Sequence, residues 1–91
     1  MTEPWRVVLA LSCLDAVRSF RRPEQDYLIR QLDWLTENAT QPVQFIERSA
    51  TGKEIKVWLI GRFLISYSLD HGEKEIRVVR IERVKFVGHR R

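Results

Sequence analysis

The chain contains a single cysteine, Cys13, among its 91 residues. A lone thiol excludes an internal disulfide and a cysteine-based zinc site, and it suits a reducing compartment. Long hydrophobic runs are lacking too. The longest apolar stretch, Val57 to Leu69, is broken by Arg62, and it falls short of the roughly 20 residues a bilayer requires. Glu3, Pro4 and Arg6 precede any apolar run, so no signal peptide is legible and a cytoplasmic protein without membrane contact is expected. There is no internal repeat, no low-complexity segment, no glycine-rich phosphate loop and no Ser/His/Asp arrangement. No set of histidine, cysteine and carboxylate has metal-ligand spacing, so neither a metal nor another cofactor is expected.

What is present describes one folded domain over residues 1–91. Hydrophobic residues make up 44% and charged residues 31%, a folded composition rather than a disordered one. A chain this short buries roughly two-thirds of the surface its unfolded form exposes, so nearly every apolar element must feed one core. The net charge of +4 favours an anionic partner such as RNA, DNA or an acidic protein.

The centre of the pattern is Glu54 to Asp70, EIKVWLIGRFLISYSLD, two strands joined at Gly61. Ile55, Val57 and Leu59 alternate with Lys56, Trp58 and Ile60, the period of a strand, and both sides are largely apolar. A pair of this kind belongs in the middle of a sheet. Before it come a strand, Trp5 to Leu11, and two helices. Ser12 with Asp15 three residues on predicts a cap for the first helix, about Cys13 to Arg21, striped by Leu14, Val17 and Phe20. Pro23 suits the first turn of the second, about Pro23 to Asn38, whose face carries Leu28, Leu32, Leu35 and Ala39. Gln44 to Arg48 is a short strand, and Gly72 in the turn DHGEK is free to take positive φ. The last strand runs from Glu75 to Val87, and its alternation slips at Val78 and Val79, the mark of a bulge. The order is α+β: an N-terminal strand, a two-helix hairpin, then four mostly antiparallel strands in one sheet with the helices on one face. The other face is left for solvent or a partner.

In this order, length and charge the chain resembles the RelE/ParE superfamily of bacterial toxin–antitoxin toxins. The resemblance covers nearly the whole sequence: an opening strand, the helical hairpin SCLDAVRSFRRPEQDYLIRQLDWLTENATQP, a short strand, EIKVWLIGRFLISYSLD, a basic strand, and the ending VGHRR. It implies a compact toxin neutralised by a small, acidic antitoxin. It also implies one of two activities: RelE-like cleavage of mRNA on the ribosome, or ParE-like poisoning of DNA gyrase without catalysis. A non-toxic basic module that binds RNA or protein is the remaining alternative. Fold alone does not choose among these.

Cleavage of RNA by its own 2′-hydroxyl needs a base, an acid for the departing 5′-oxygen, and positive charge on the phosphate. Neighbouring cations lower a lysine's pKa enough for it to act as that base. The resemblance places Lys56 at the second of two family lysines, with Glu54 where the first would stand. It places Arg62 one residue before a family arginine, and it puts the late arginine at either Arg83 or Arg90 depending on register. The nuclease reading therefore takes Lys56, Arg62, Arg83 and His89 as catalytic, with His89 as the acid. Arg77, Arg80, Lys85, Arg90 and Arg91 would hold RNA. Each has a plainer role, as a solvated strand charge, a guard on an edge strand or a basic tail. Trp58 and Tyr67 read as core ahead of base-stacking platforms, His71 as a turn residue, and Cys13 as a buried thiol.

Overall fold

A computed structural model describes residues 4–84 of the chain. The element order is β1 (Arg6–Leu9), α1 (Leu11–Arg18), α2 (Arg22–Leu35), β2 (Phe45–Arg48), β3 (Glu54–Ile60), β4 (Phe63–Asp70) and β5 (Glu75–Arg83). The five strands form one sheet in the order β1-β5-β4-β3-β2. Every pairing is antiparallel except β1 with β5, which is parallel. This is the expected α+β arrangement, with β4 at the centre and β3 beside it. No helix among the described residues is long and apolar enough to cross a membrane.

Period-two alternation divides the sheet into two faces. Trp58 stacks on Trp34 of α2, ring centroids 5.8 Å apart, and Phe63 lies against Phe20 and Tyr27. Those contacts fix Lys56, Trp58 and Ile60 of β3, and Phe63, Ile65 and Tyr67 of β4, on the helix side. The core there joins Cys13, Leu28, Leu32, Leu35 and Ala39 to Ile65, Tyr67, Ile76, Val78 and Ile81. The opposite face carries Val57, Ser66 and Ser68, small or covered enough to be buried as well.

The slip at Val78 and Val79 is a bulge, as its sequence pattern predicts. Tyr67 pairs with Val78 and Ser66 with Arg80, which leaves Val79 as the extra residue. The bulge resets the alternation. Val78 and Ile81 both reach the core, while Val79 is exposed.

Three local expectations are corrected. The first helix begins at Leu11 after an Ala10 cap, with no side-chain cap from Ser12. The Ala10 N–H donates to the Val78 carbonyl at 3.0 Å, and the Ala10 carbonyl accepts from both Cys13 and Leu14. The tie to β5 starts the helix before Ser12 is reached. The second helix ends at Leu35, three residues early, because the Thr36 hydroxyl and the Asn38 side-chain amide donate to the Asp33 and Trp34 carbonyls. In the β4–β5 turn the left-handed residue is Lys74, at φ 55°, and not Gly72.

Candidate functional site

The hairpin between β3 and β4 turns through Gly61, at φ 59°, and Arg62. The Val84 N–H donates to the Arg62 carbonyl at 2.7 Å, so Arg62 and the end of β5 share one end of the sheet. Arg83 is here. It pairs across the ladder with Phe63 and therefore points to the helix side. Its Nη2 donates to Glu24 Oε1 at 2.6 Å, and its guanidinium lies 5.1 Å over the Phe20 ring. Glu24 opens α2, where its side chain also accepts the Arg21 N–H at 3.1 Å. The Arg83 hydrogen bond is the main reason the Glu24 carboxyl sits below the usual range. A cleft of about 300 Å³ at this end is lined by Pro23, Glu24, Tyr27, Gly61, Arg62 and Phe63.

Lys56 lies elsewhere. It pairs with Tyr67, whereas Ile60 pairs with Phe63 at the hairpin end. Four ladder positions at about 3.3 Å each set it about 13 Å along the strand from Arg62 and Arg83. Its Nζ donates to the Gln41 carbonyl at 2.9 Å, under the segment that leads from α2 into β2. Sequence spacing thus brings Arg62 and Arg83 together but leaves Lys56 apart from them, on the same face of the sheet.

Arg77 and Arg80 project from the other face, and each is engaged. Arg77 Nη2 lies 2.9 Å from Asp70 Oδ2 and 3.1 Å from Glu75 Oε1. Arg80 lies 3.8 Å from Glu47 and 3.9 Å from Glu82. Asp70 is held below the usual carboxylate range, first by the Glu73 N–H that it accepts and then by Arg77. Lys85, His89, Arg90 and Arg91 lie outside the described residues.

Trp58 and Tyr67 are core residues. Tyr67 is fully buried, which keeps its hydroxyl from solvent, and that burial pushes its phenol above the usual range. Cys13 is likewise buried, with its Sγ–H directed at the Val78 carbonyl 3.5 Å away, and burial raises its pKa. The thiolate a nucleophile needs is thereby disfavoured.

The residue that sequence reasoning passed over is His71. It stands in the β4–β5 turn as expected, yet it lines a cleft of about 220 Å³ with Lys53, Glu54, Lys56 and Leu69. The signal was in the strand register. Once Lys56 pairs with Tyr67, Glu54 falls opposite Leu69, and the residues flanking both strands meet at that end.

The architecture defines the class: the chain has the fold of RelE toxins. It resembles a chain of the archaeal RelE–RelB complex from Pyrococcus horikoshii at a TM-score of 0.72 and 14% identity, over 89% of this chain and 96% of that one. A chain of the RelBE2 toxin–antitoxin complex of Mycobacterium tuberculosis gives a TM-score of 0.75 at 10% identity, over 89% and 99% of the two chains. The isolated Escherichia coli RelE toxin gives 0.66 at 7% identity, over 90% and 86%. No protein-family model matches the sequence, and no curated protein matches it significantly.

Proposed function

We propose that this chain is the toxin of a toxin–antitoxin pair and that it acts as a RelE-like, ribosome-dependent mRNA endonuclease in the cytoplasm. The observation that carries the reading is the likeness in fold to three RelE structures over about nine-tenths of the chain. Two of those structures are complexes with an antitoxin, and a small acidic antitoxin would complement the +4 charge of this protein. In this reading Arg62 and Arg83 hold the phosphate at the hairpin end, and Lys56 must leave the Gln41 carbonyl and extend toward them to take the 2′-hydroxyl proton. His89 returns a proton to the leaving oxygen, while Lys85, Arg90 and Arg91 hold the strand; Arg77 and Arg80, expected to join them, stand on the opposite face of the sheet and take no part in this contact.

A second reading is favoured by one observation: Lys56 and Arg83 are both already occupied, by Gln41 and Glu24. A nuclease must release them on binding RNA. A toxin that works by contact alone, as a gyrase poison does, needs no such release.

Controlled expression in a bacterium separates the two. The nuclease reading expects growth arrest with an early block in protein synthesis and cleaved mRNA only where ribosomes are present. Unaffected translation with a DNA-damage response supports gyrase poisoning, and unaffected growth removes the toxin role altogether. Arg83→Ala is expected to relieve the arrest while the purified variant still melts cooperatively. Glu24→Gln breaks the same contact but keeps the guanidinium, so it should stay toxic. Equal relief by both would mean that Arg83 serves only the fold.

A further inference from the structure

β2 stands at one edge of the sheet, and every one of its residues is exposed. Two of them are large and apolar: Phe45 is 57% exposed and Ile46 56%. An edge strand with an open backbone and apolar side chains is a template for a further strand.

The bonds between β2 and β3 fix which backbone groups are open. Phe45 pairs with Val57, Ile46 with Lys56, Glu47 with Ile55 and Arg48 with Glu54. Along an antiparallel ladder, hydrogen-bonded and non-bonded pairs alternate. The Ser49 N–H donates to the Lys53 carbonyl at 2.8 Å, which makes the next pair after Arg48 and Glu54 a bonded one. At the other end of β2 the Gln44 side chain takes both backbone groups of Leu59, donating to the carbonyl at 3.1 Å and accepting the N–H at 2.9 Å. Both observations assign the bonds to β3 to Phe45, Glu47 and Ser49. The N–H and C=O of Ile46 and Arg48 therefore point the other way, to the open edge.

A second β2 running antiparallel fits this edge about a two-fold axis at Ile46. Ile46 then exchanges both backbone hydrogen bonds with Ile46 of the second copy, and Arg48 falls opposite Gln44. Phe45 falls opposite Glu47, and the two Phe45 rings lie on one diagonal, within aromatic reach. No like charges face each other. Sliding the pairing toward the β2–β3 loop sets Glu47 or Arg48 against itself, which is unfavourable. The strand's own charges, Glu47 and Arg48, cancel, so this edge does not share the +4 character that draws the rest of the molecule to anions.

We propose that the chain pairs with a second copy of itself through β2, joining two five-stranded sheets into one with the helices of both copies on the same side. The contact lies toward the end of the sheet remote from the β3–β4 hairpin. It uses no residue given a part in RNA cleavage, so it stands or falls apart from the toxin reading.

Sedimentation equilibrium of the full chain, from about 10 µM to about 500 µM, covers the range expected of a contact this small. The mass should rise reversibly toward twice that of one chain. Ile46→Pro removes the outward N–H and spares the bonds to β3, at an edge position where proline is tolerated. Ile46→Lys sets two ammonium groups against each other on the axis. Each variant should weaken the dimer about tenfold or more while its far-ultraviolet circular dichroism stays that of the parent. If proline disturbs β2, the lysine variant decides. Hydrogen exchange of the Ile46 amide should also slow as the concentration rises. A mass that stays at one chain, a dimer that Ile46→Lys does not weaken, or an Ile46 amide indifferent to concentration overturns the proposal.

Discussion

The Glu24 carboxylate accepts from the Arg83 guanidinium and from the Arg21 amide, two contacts made only in the folded chain. Both favour the ionised form, so the folded pKa lies below the unfolded value of about 4.3. The sign of the linkage follows. The stabilisation is fully present above the unfolded pKa and is lost as pH falls through the lower folded one. Melting temperatures measured from pH 6 down to pH 3 should therefore decline less steeply in Glu24→Gln than in the parent. A parallel decline would show that this contact contributes nothing to acid stability. Neither partner was legible as a pair in the sequence, since they stand 59 positions apart. Charge type and strand membership were readable for Arg83, whereas its engagement with α2 is a product of packing. The same holds for Lys56, whose place on β3 follows from alternation but whose acceptor comes from a connecting segment without periodicity.

Elements formed where local chemistry and the pairing surface agreed, and shifted where they did not. Alternation located β3 and β4 to within a residue, and the adjacent valines located the bulge. Helix ends moved because tertiary ties compete with capping signals, as at Ala10. The β3–β4 hairpin shows how tightly an element is tied to its neighbour. Gly61 has φ 59°, and a Cβ at this position would stand 2.8 Å from the Tyr27 hydroxyl of α2. Gly61→Ala should cost about 1–3 kcal/mol, since a left-handed backbone is unfavourable for any residue with a Cβ. Tyr27→Phe removes the crowding oxygen and should return part of that cost, as read from a double-mutant cycle in urea. Strict additivity would mean that Tyr27 yields freely and that strain lies in the backbone alone.

For the molecule as a whole, one core joins both helices to β1, β3, β4 and β5, while β2 lies exposed at the edge. Leu28 is completely buried between α2 and the sheet, in a cluster that also draws on α1, β3, β4 and β5. Leu28→Ala should destabilise by about 2–5 kcal/mol, a large part of the roughly 5–15 kcal/mol that holds a small domain together. Unfolding followed by far-ultraviolet circular dichroism and by tryptophan fluorescence should shift equally and remain coincident. Separate transitions would show that the helical hairpin and the sheet unfold independently. The parallel pairing of β1 with β5 closes the molecule by joining the two ends of the described chain. The remote end of the sheet, with Trp5, His71 and Lys74 in contact, exists only because of that closure.

The sequence by itself determined the class of the fold, the order of its elements, the central strands, the bulge and a basic net charge. These are properties of period, of turn-forming residues and of summed charge, all carried by near neighbours along the chain. Only the tertiary structure decided which cations are neutralised and which are left free. That choice depends on carboxylates and carbonyls brought in from distant segments, and on how far each ammonium or guanidinium is removed from water. It paired Arg83 with Glu24, placed Lys56 beneath the Gln41 carbonyl, and set His71 beside Lys56 in a cleft that no local pattern foretold.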